Sequence, residues 1–396
     1  PTQKYYEADA YRTEAAGRIL AAEPDGSGGG KIALDGTVFY PEGGGQPGDR
    51  GRLGKSRVLD TRFDEQGEII HICDQSLCEG REYDMEVDPL HRLDSIQQHT
   101  GEHMLSYAFW HLFGIKNVGF HMNGSLATID LDREVTAEEI SKAEELCNGQ
   151  IYENLPVKTY YATLGQLKNK KVRKISEKGG GRPRVVEIEG GDICTCCGTH
   201  AKFTGTVGII KVIKCEKNRS GSRLEFLCGK RAFDYFEDQS KTAKTVAEMF
   251  STEFCEVPDR IRDMKEKISE QNLSIKEKTD ALSDYTVKEI CGRAQKGLSF
   301  ALLENIGAKE ARVILNKAIK AVSCVVLVFT EKDRLNYVLS SAEGSGYDCK
   351  YLCELLNGLY SGKGGGSPRF AQGGGNLCPD FKERGEIFLK TAVENK

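Results

Sequence analysis

No apolar run in these 396 residues approaches the ~20 needed to cross a bilayer. The opening stretch "PTQKYYEADAYR" has no hydrophobic core of the kind a secretory signal carries. The chain is therefore expected to be cytoplasmic and free of membrane contact. Positive charge is not in excess either: the net charge is −4, so any nucleic-acid site must be a local patch. No G-x-x-x-x-G-K-[ST] phosphate loop is present, since "SGKGGG" at 361–366 lacks the spacing. Fourteen cysteines occur without a disulfide framework, which points to a reducing compartment and to thiols free to act as ligands. What remains, 39% hydrophobic and 29% charged residues, is the composition of soluble globular domains, about two to four of them for this length.

Histidine is scarce, seven in all, yet two stand four apart in "SIQQHTGEHML", residues 95–105. On an α-helix, positions i and i+4 share a face, so His99 and His103 reach one ion. Asp94 and Ser95 are good N-cap types, and Ile96, Met104, Leu105, Ala108, Phe109 and Leu112 recur near a 3.6-residue period. Gly114 is a natural stop, while Gly101 inside the helix costs ~1 kcal/mol against alanine. The same string fits the H-x-x-E-H pattern of zinc peptidases, in which Glu102 is the general base.

The rest of a ligand set stands in "GGDICTCCGTHAKFTGTVG", residues 190–208. Cys196 and His200 flank Gly198, which permits a tight turn. With His99 and His103 they make a His₃Cys set suited to zinc. Cys197 is an alternative thiolate, and Cys194 with Cys197 also forms a C-x-x-C. A second C-x-x-C is lacking, so a four-thiolate structural site is not expected.

H-x-x-x-H followed about ninety residues later by C-x-G-T-H resembles the alanyl-tRNA editing proteins, the AlaX group in its long form, and the editing domain of alanyl-tRNA synthetase. On that resemblance Cys196, not Cys197, is the matched thiolate, and His99, His103, Cys196 and His200 are the Zn²⁺ ligands. "TGTVGIIKV" (204–212) resembles the strand after that motif, and "GSRLEFLCG" (221–229) the closing strand, with Arg223 at the matched arginine. "TVFYPEGGGQPGDRG" (37–51) is similar to the glycine-rich segment of the family's N-terminal barrel, with Gln46 at a glutamine near the editing pocket. There Gly44 and Gly45 bring backbone N–H groups close to a ligand. "SGKGGGSPRFAQGGG" (361–375) resembles the signature of the synthetase's C-terminal domain, which contributes to tRNA binding and dimerisation.

The expected architecture is α+β and multidomain. Residues 1–88 form a β-barrel with a glycine-rich loop, and 89–235 a zinc-binding editing domain. Residues 236–295 form a helical or coiled-coil arm, and 296–396 a small α/β domain. In that last part "AVSCVVLVFT" reads as a buried strand between helical stretches. The basic stretch "KNKKVRKISEKGGGRPR" (168–184), eight Lys/Arg against one Glu, either neutralises phosphates or is a solvated loop. The implied activity is zinc-dependent hydrolysis of serine, or glycine, esterified to tRNA(Ala), with a homodimer formed through the C-terminal region. A pocket that hydrogen-bonds the seryl hydroxyl can reject alanine by ~10⁴; Thr100, Gln46 and Thr199 are candidates, with Glu102 acting from behind the ligands. Two other readings are a zinc peptidase and a non-catalytic tRNA-binding protein with a structural zinc.

Overall fold

Short alternating strands build the N-terminal part. Along Ile69–Cys73 every second residue, Ile69, His71 and Cys73, is buried, the period-2 pattern of a sheet with one wet face. In the computed structural model, which describes residues 2–26, 28–168, 170–175, 182–218 and 221–395, six such strands close into a barrel. Their order is Glu14–Pro24, Gly30–Leu34, Ile69–Cys73, Ser56–Phe63, Gly51–Leu53 and Glu82–Val87. Closure leaves no free edge, and Ile19, Ile32, Leu34, Val58, Met85 and Val87 fill the interior. Ahead of the barrel, Tyr5–Ala8 is a helical turn, and the long first strand begins only at Glu14.

The histidine helix is Pro89–Phe113. It starts earlier than Asp94 because Asp88 caps it, its carboxylate accepting from the N–H groups of Leu90 at 3.0 Å and His91 at 3.2 Å. Pro89 then takes the first helical position, where its missing N–H costs nothing. Gly114 ends it with φ of 70°. Gly101 is there for space, since a Cβ would lie 2.2 Å from Cys228 Sγ. A second helix, Ala137–Glu153, carries a capping box of Thr136 and Glu139.

Behind these helices lies a four-stranded antiparallel sheet in the order Ile210–Asn218, Gly221–Cys228, Ala127–Leu131, Asn117–Met122. A three-stranded sheet, Val157–Tyr161, Arg184–Ile188 and Ile193–Thr195, carries the cysteines. Within 204–212, Thr204–Val207 is a 3₁₀ turn and the strand begins at Ile210. One core, including Leu105, Phe109, Ile129, Val186, Leu224 and Phe226, joins both sheets to the helices.

The chain divides into two compact units, Pro1–Val246 and Ala247–Lys396. Residues 236–295 contain the end of a helix Gly229–Met249 and the helix Val257–Gly292. On the latter, Ile268, Ile275 and Leu282 recur every seven residues, the spacing of a heptad seam, and are exposed. The second unit has a five-stranded sheet, ordered Leu298–Leu303, Cys324–Glu331, Arg334–Ser341, Phe370–Asn376, Lys363–Ser367. Only its first pair is parallel. Cys324–Thr330 is buried throughout, as a central strand covered on both faces must be. Among the described residues no helix is long and apolar enough to cross a membrane.

Candidate metal centre and cavity

His99 and His103 project from one face of their helix, one turn apart. The turn after strand Ile193–Thr195 brings Cys196 and His200 to meet them. The ligand atoms of all four lie within 4.8 Å of one another. Cys196 Sγ is 3.4 Å from His99 Nε2 and 3.4 Å from His200 Nε2. Zinc–sulfur and zinc–nitrogen bonds of ordinary length, set tetrahedrally, separate their donors by about 3.5 Å. The turn needs Gly198: a Cβ there would lie 2.1 Å from His99 Cε1. Arg184, buried, holds the same turn by donating to the carbonyls of Cys196 at 3.0 Å and Gly198 at 2.9 Å.

The electrostatics suit a cation. Burial alone would raise the Cys196 thiol, but His99, His200 and hydrogen bonds outweigh it and hold the group well below its usual range, as a thiolate ligand requires. Burial, and then the charge of His103, keeps His200 well below the usual histidine range and thus neutral. His200 Nδ1 is buried with no hydrogen-bond partner, an orphan in a cluster of soft donors. These residues fit a zinc ion. Cys197 is exposed and stands outside the cluster.

The two helix histidines and the turn are held from behind. Gln46 Oε1 accepts from His99 Nδ1 at 2.8 Å and from the Thr199 N–H at 3.1 Å, while its Nε2 donates to Thr199 Oγ1 at 2.9 Å. That leaves Nε2 of His99 facing the cluster. Gln46 is presented by a two-residue turn between Gly43 and Gln46, in which Gly44 and Gly45 have φ of 61° and 86°, conformations that favour glycine. Gly45 also accepts from the Met122 N–H at 3.0 Å, and a Cβ on it would strike Phe120 O at 2.5 Å. Thr100 Oγ1 accepts from the Ala201 N–H at 3.0 Å, tying helix to turn. The structure thus places Gln46, Thr100 and Thr199, all fully buried, in the frame behind the ligands. Arg223 is paired with Asp130, two bonds of 2.7 Å, and is not among the residues lining the cavity.

Sequence reasoning missed a second set. His103 Nδ1 lies 3.1 Å from Asp192 and 3.4 Å from Cys194 Sγ. Arg173 grips the same Asp192 with bonds of 2.8 and 2.7 Å. The guanidinium excludes a second cation there, so Asp192 orients His103 rather than binding metal. Arg173 and Arg184 belong to the basic stretch that composition leaves as either a phosphate-neutralising patch or a solvated loop. Arg184 is buried and the Arg173 side chain nearly so, and both are tied to internal partners at the cavity wall; residues 169 and 176–181 of that stretch lie outside the described residues.

The cluster is open to a cavity of about 490 Å³. Its wall includes His99, His103 and Cys196, with Gly44, Asn117, Phe120 and Glu102. Glu102 Oε1 accepts from Ser106 Oγ at 2.6 Å and Asn117 Nδ2 at 2.7 Å. Nothing in the sequence around Asn117 and Phe120 marked them, because a strand brings them in from the far side of the helix. Three histidines and a thiolate beside an open cavity define a candidate metal site within reach of a bound molecule.

The family profile "Threonyl and Alanyl tRNA synthetase second additional domain" matches residues 184–224. Alanyl-tRNA editing protein Aarsd1 of Mus musculus is 31% identical, over 70% of this chain and 71% of that protein. Alanyl-tRNA editing protein AlaX-L of Pyrococcus horikoshii is 29% identical over 90% of each chain. Aarsd1-B of Xenopus laevis is 28% identical over 98% of this chain and 97% of that protein. The chain belongs to the alanyl-tRNA editing family.

Proposed function

We propose that this chain clears serine, and glycine, from tRNA(Ala) by zinc-dependent hydrolysis in trans. Membership of the family makes it an aminoacyl-tRNA deacylase that acts on mischarged tRNA(Ala). The observation that carries the zinc reading is the convergence of His99, His103, Cys196 and His200 at an open cavity. Zinc held there supplies Lewis-acid chemistry at an ester carbonyl or a water molecule. The chain's own residues do the rest. Gln46 and Asp192 fix the rings of His99 and His103, and Thr100 and Arg184 hold the Cys196–His200 turn against the helix. Thr199 stands with Gln46 behind the ligands, and Gly44 admits the substrate along the barrel side. The C-terminal unit, with its glycine-rich strands, anchors the tRNA. The exposed residues Ile268, Ile275 and Leu282 of Val257–Gly292, seven apart on one face, support a homodimer, because a second copy would cover that apolar stripe. The four-part division at residues 88, 235 and 295 follows these roles.

Deacylation of Ser-tRNA(Ala) and Gly-tRNA(Ala) by the purified protein, with and without a strong chelator, tests this. The expected result is one zinc per chain and a rate that falls with its removal and returns on re-addition. Unchanged rates in fully demetallated protein would leave the metal a structural role.

A further inference from the structure

An aminoacyl ester differs from a simple ester by its α-ammonium. Ordinary α-amino groups titrate near ~8, so the group enters the site charged. A cation leaving water needs an anionic acceptor. Among the described residues the cavity wall is otherwise cationic, with Arg173, Lys174 and Arg184. The Cys196 thiolate belongs to the cluster, and Asp192 is held between Arg173 and His103. One carboxylate lines the cavity among the described residues, that of Glu102.

We infer that Glu102 Oε2 is the anchor for the α-ammonium of the esterified amino acid. The inference rests on the editing function proposed above. Oε1 is fixed by Ser106 and Asn117, so the carboxylate cannot turn away. Oε2 makes only a 3.7 Å approach to His103 Nε2 among the described residues, leaving it able to accept. The α-ammonium and the ester carbonyl are separated by one carbon. An ammonium seated beside His103 therefore sets the carbonyl against the cluster. Serine, glycine and alanine all carry this group, so Glu102 selects aminoacyl esters as a class, and the side-chain choice is made elsewhere in the cavity. This role also differs from that of a peptidase base, which acts on water and is indifferent to the charge of the α-substituent.

The test is a pair of substrates: tRNA(Ala) carrying serine, and the same tRNA carrying glyceric acid, in which a hydroxyl replaces the ammonium. A hydrogen bond to a charged group is worth a factor of roughly ten to a hundred. Wild-type protein is expected to favour the seryl ester at least tenfold in kcat/KM. Glu102→Gln, with zinc retained, is expected to cut that preference by tenfold or more. Asn117→Ala, which frees the carboxylate, shifts the ratio the same way and decides the matter should Glu102→Gln fail to fold. Equal loss of both esters in Glu102→Gln, or a wild type that cleaves both alike, overturns the anchor. A wild type that cleaves neither overturns the editing function itself, a distinguishable outcome.

Discussion

Glycine triplets near the two ends of the chain do unlike things. Gly43–Gly45 makes a turn whose φ values are positive at Gly44 and Gly45. Gly364–Gly366 and Gly373–Gly375 lie in extended, paired strands, and none of them has positive φ. There the missing Cβ matters instead: one on Gly364 would meet Gly373 Cα at 2.5 Å, and one on Gly373 would meet Tyr337 Cε2 at 2.4 Å. The first triplet needs backbone freedom, and at Gly45 space as well; in the C-terminal triplets Gly364 and Gly373 need closeness alone. A run of glycines is therefore two different signals, and only the neighbours say which. The two units differ in chemistry as well. All seven histidines lie at or before residue 200, so the second unit has neither imidazole ligands nor a histidine titration.

The comparison breaks hardest at the third kind of glycine, Gly198, where closeness serves the metal. Gly198→Ala pushes into His99, and we expect loss of zinc and at least a hundredfold fall in deacylation. Cys196→Ser should do the same, while Cys197→Ser keeps its metal. Metal analysis of the three variants checks this, and equal loss from both cysteines would mean the thiolate is misassigned.

Acid separates the units next. His71 is fully buried in the barrel, and burial lowers its pKa to about 4. Its Nε2 is 2.8 Å from Thr37 Oγ1 and its Nδ1 3.0 Å from Ile32 O. Unfolded, it takes a proton below about 6.5; folded, not until about 4. The stability it confers is therefore complete above pH 6.5 and is lost as pH falls toward 4, by about 3 kcal/mol. Urea unfolding of metal-free wild type and His71→Gln at pH 7 and pH 4.5 should show the variant losing much less of its first-unit stability on acidification. A variant as acid-sensitive as wild type would place the titration in another group.

Gly373→Ala tests the strand glycines. Crowding Tyr337 should cost about 1–3 kcal/mol in the C-terminal unit's unfolding transition, with zinc content unchanged. The smallest effect belongs to Gly44, whose Cβ would meet nothing within 4 Å. Gly44→Ala should cost about 1 kcal/mol through φ alone, and Gly44→Asn less, because Asn tolerates that region. Thermal melts of the pair distinguish strain from contact; equal costs would point to a lost neighbour instead.

The legible parts of the sequence were local ones. His99 and His103 share a helical face by spacing, and the Cys196–His200 pair lies within five residues, so both halves could be read without coordinates. The barrel showed in short alternating strands, and the buried strand Cys324–Glu331 in its apolar run. The helix starts at Asp88-Pro89, a cap and first-turn proline outside the apolar period, whereas that period begins only after Asp94. Arg173 and Asp192 were missed for a deeper reason. Their pairing brings together residues 19 apart on different segments, and composition alone leaves Arg173 as one cation of a basic stretch, facing either phosphate or solvent. Hydroxyl candidates chosen by adjacency to the ligands, Thr100 and Thr199, proved to face the frame. Side-chain direction is set by tertiary packing, not by position in a motif.

Gln46 has a consequence for how this protein can be taken apart. The residue that orients His99 comes from the barrel, and the buried pair of Arg92 and Asp49 fastens the same loop to the start of the histidine helix. The barrel is thus not a detachable module. A transplant beginning at residue 89 would carry all four metal donors and leave behind the hand that aims one of them. Evolution or engineering that exchanges the barrel must exchange the glutamine-bearing turn with it, or accept a centre whose first histidine is free to swing.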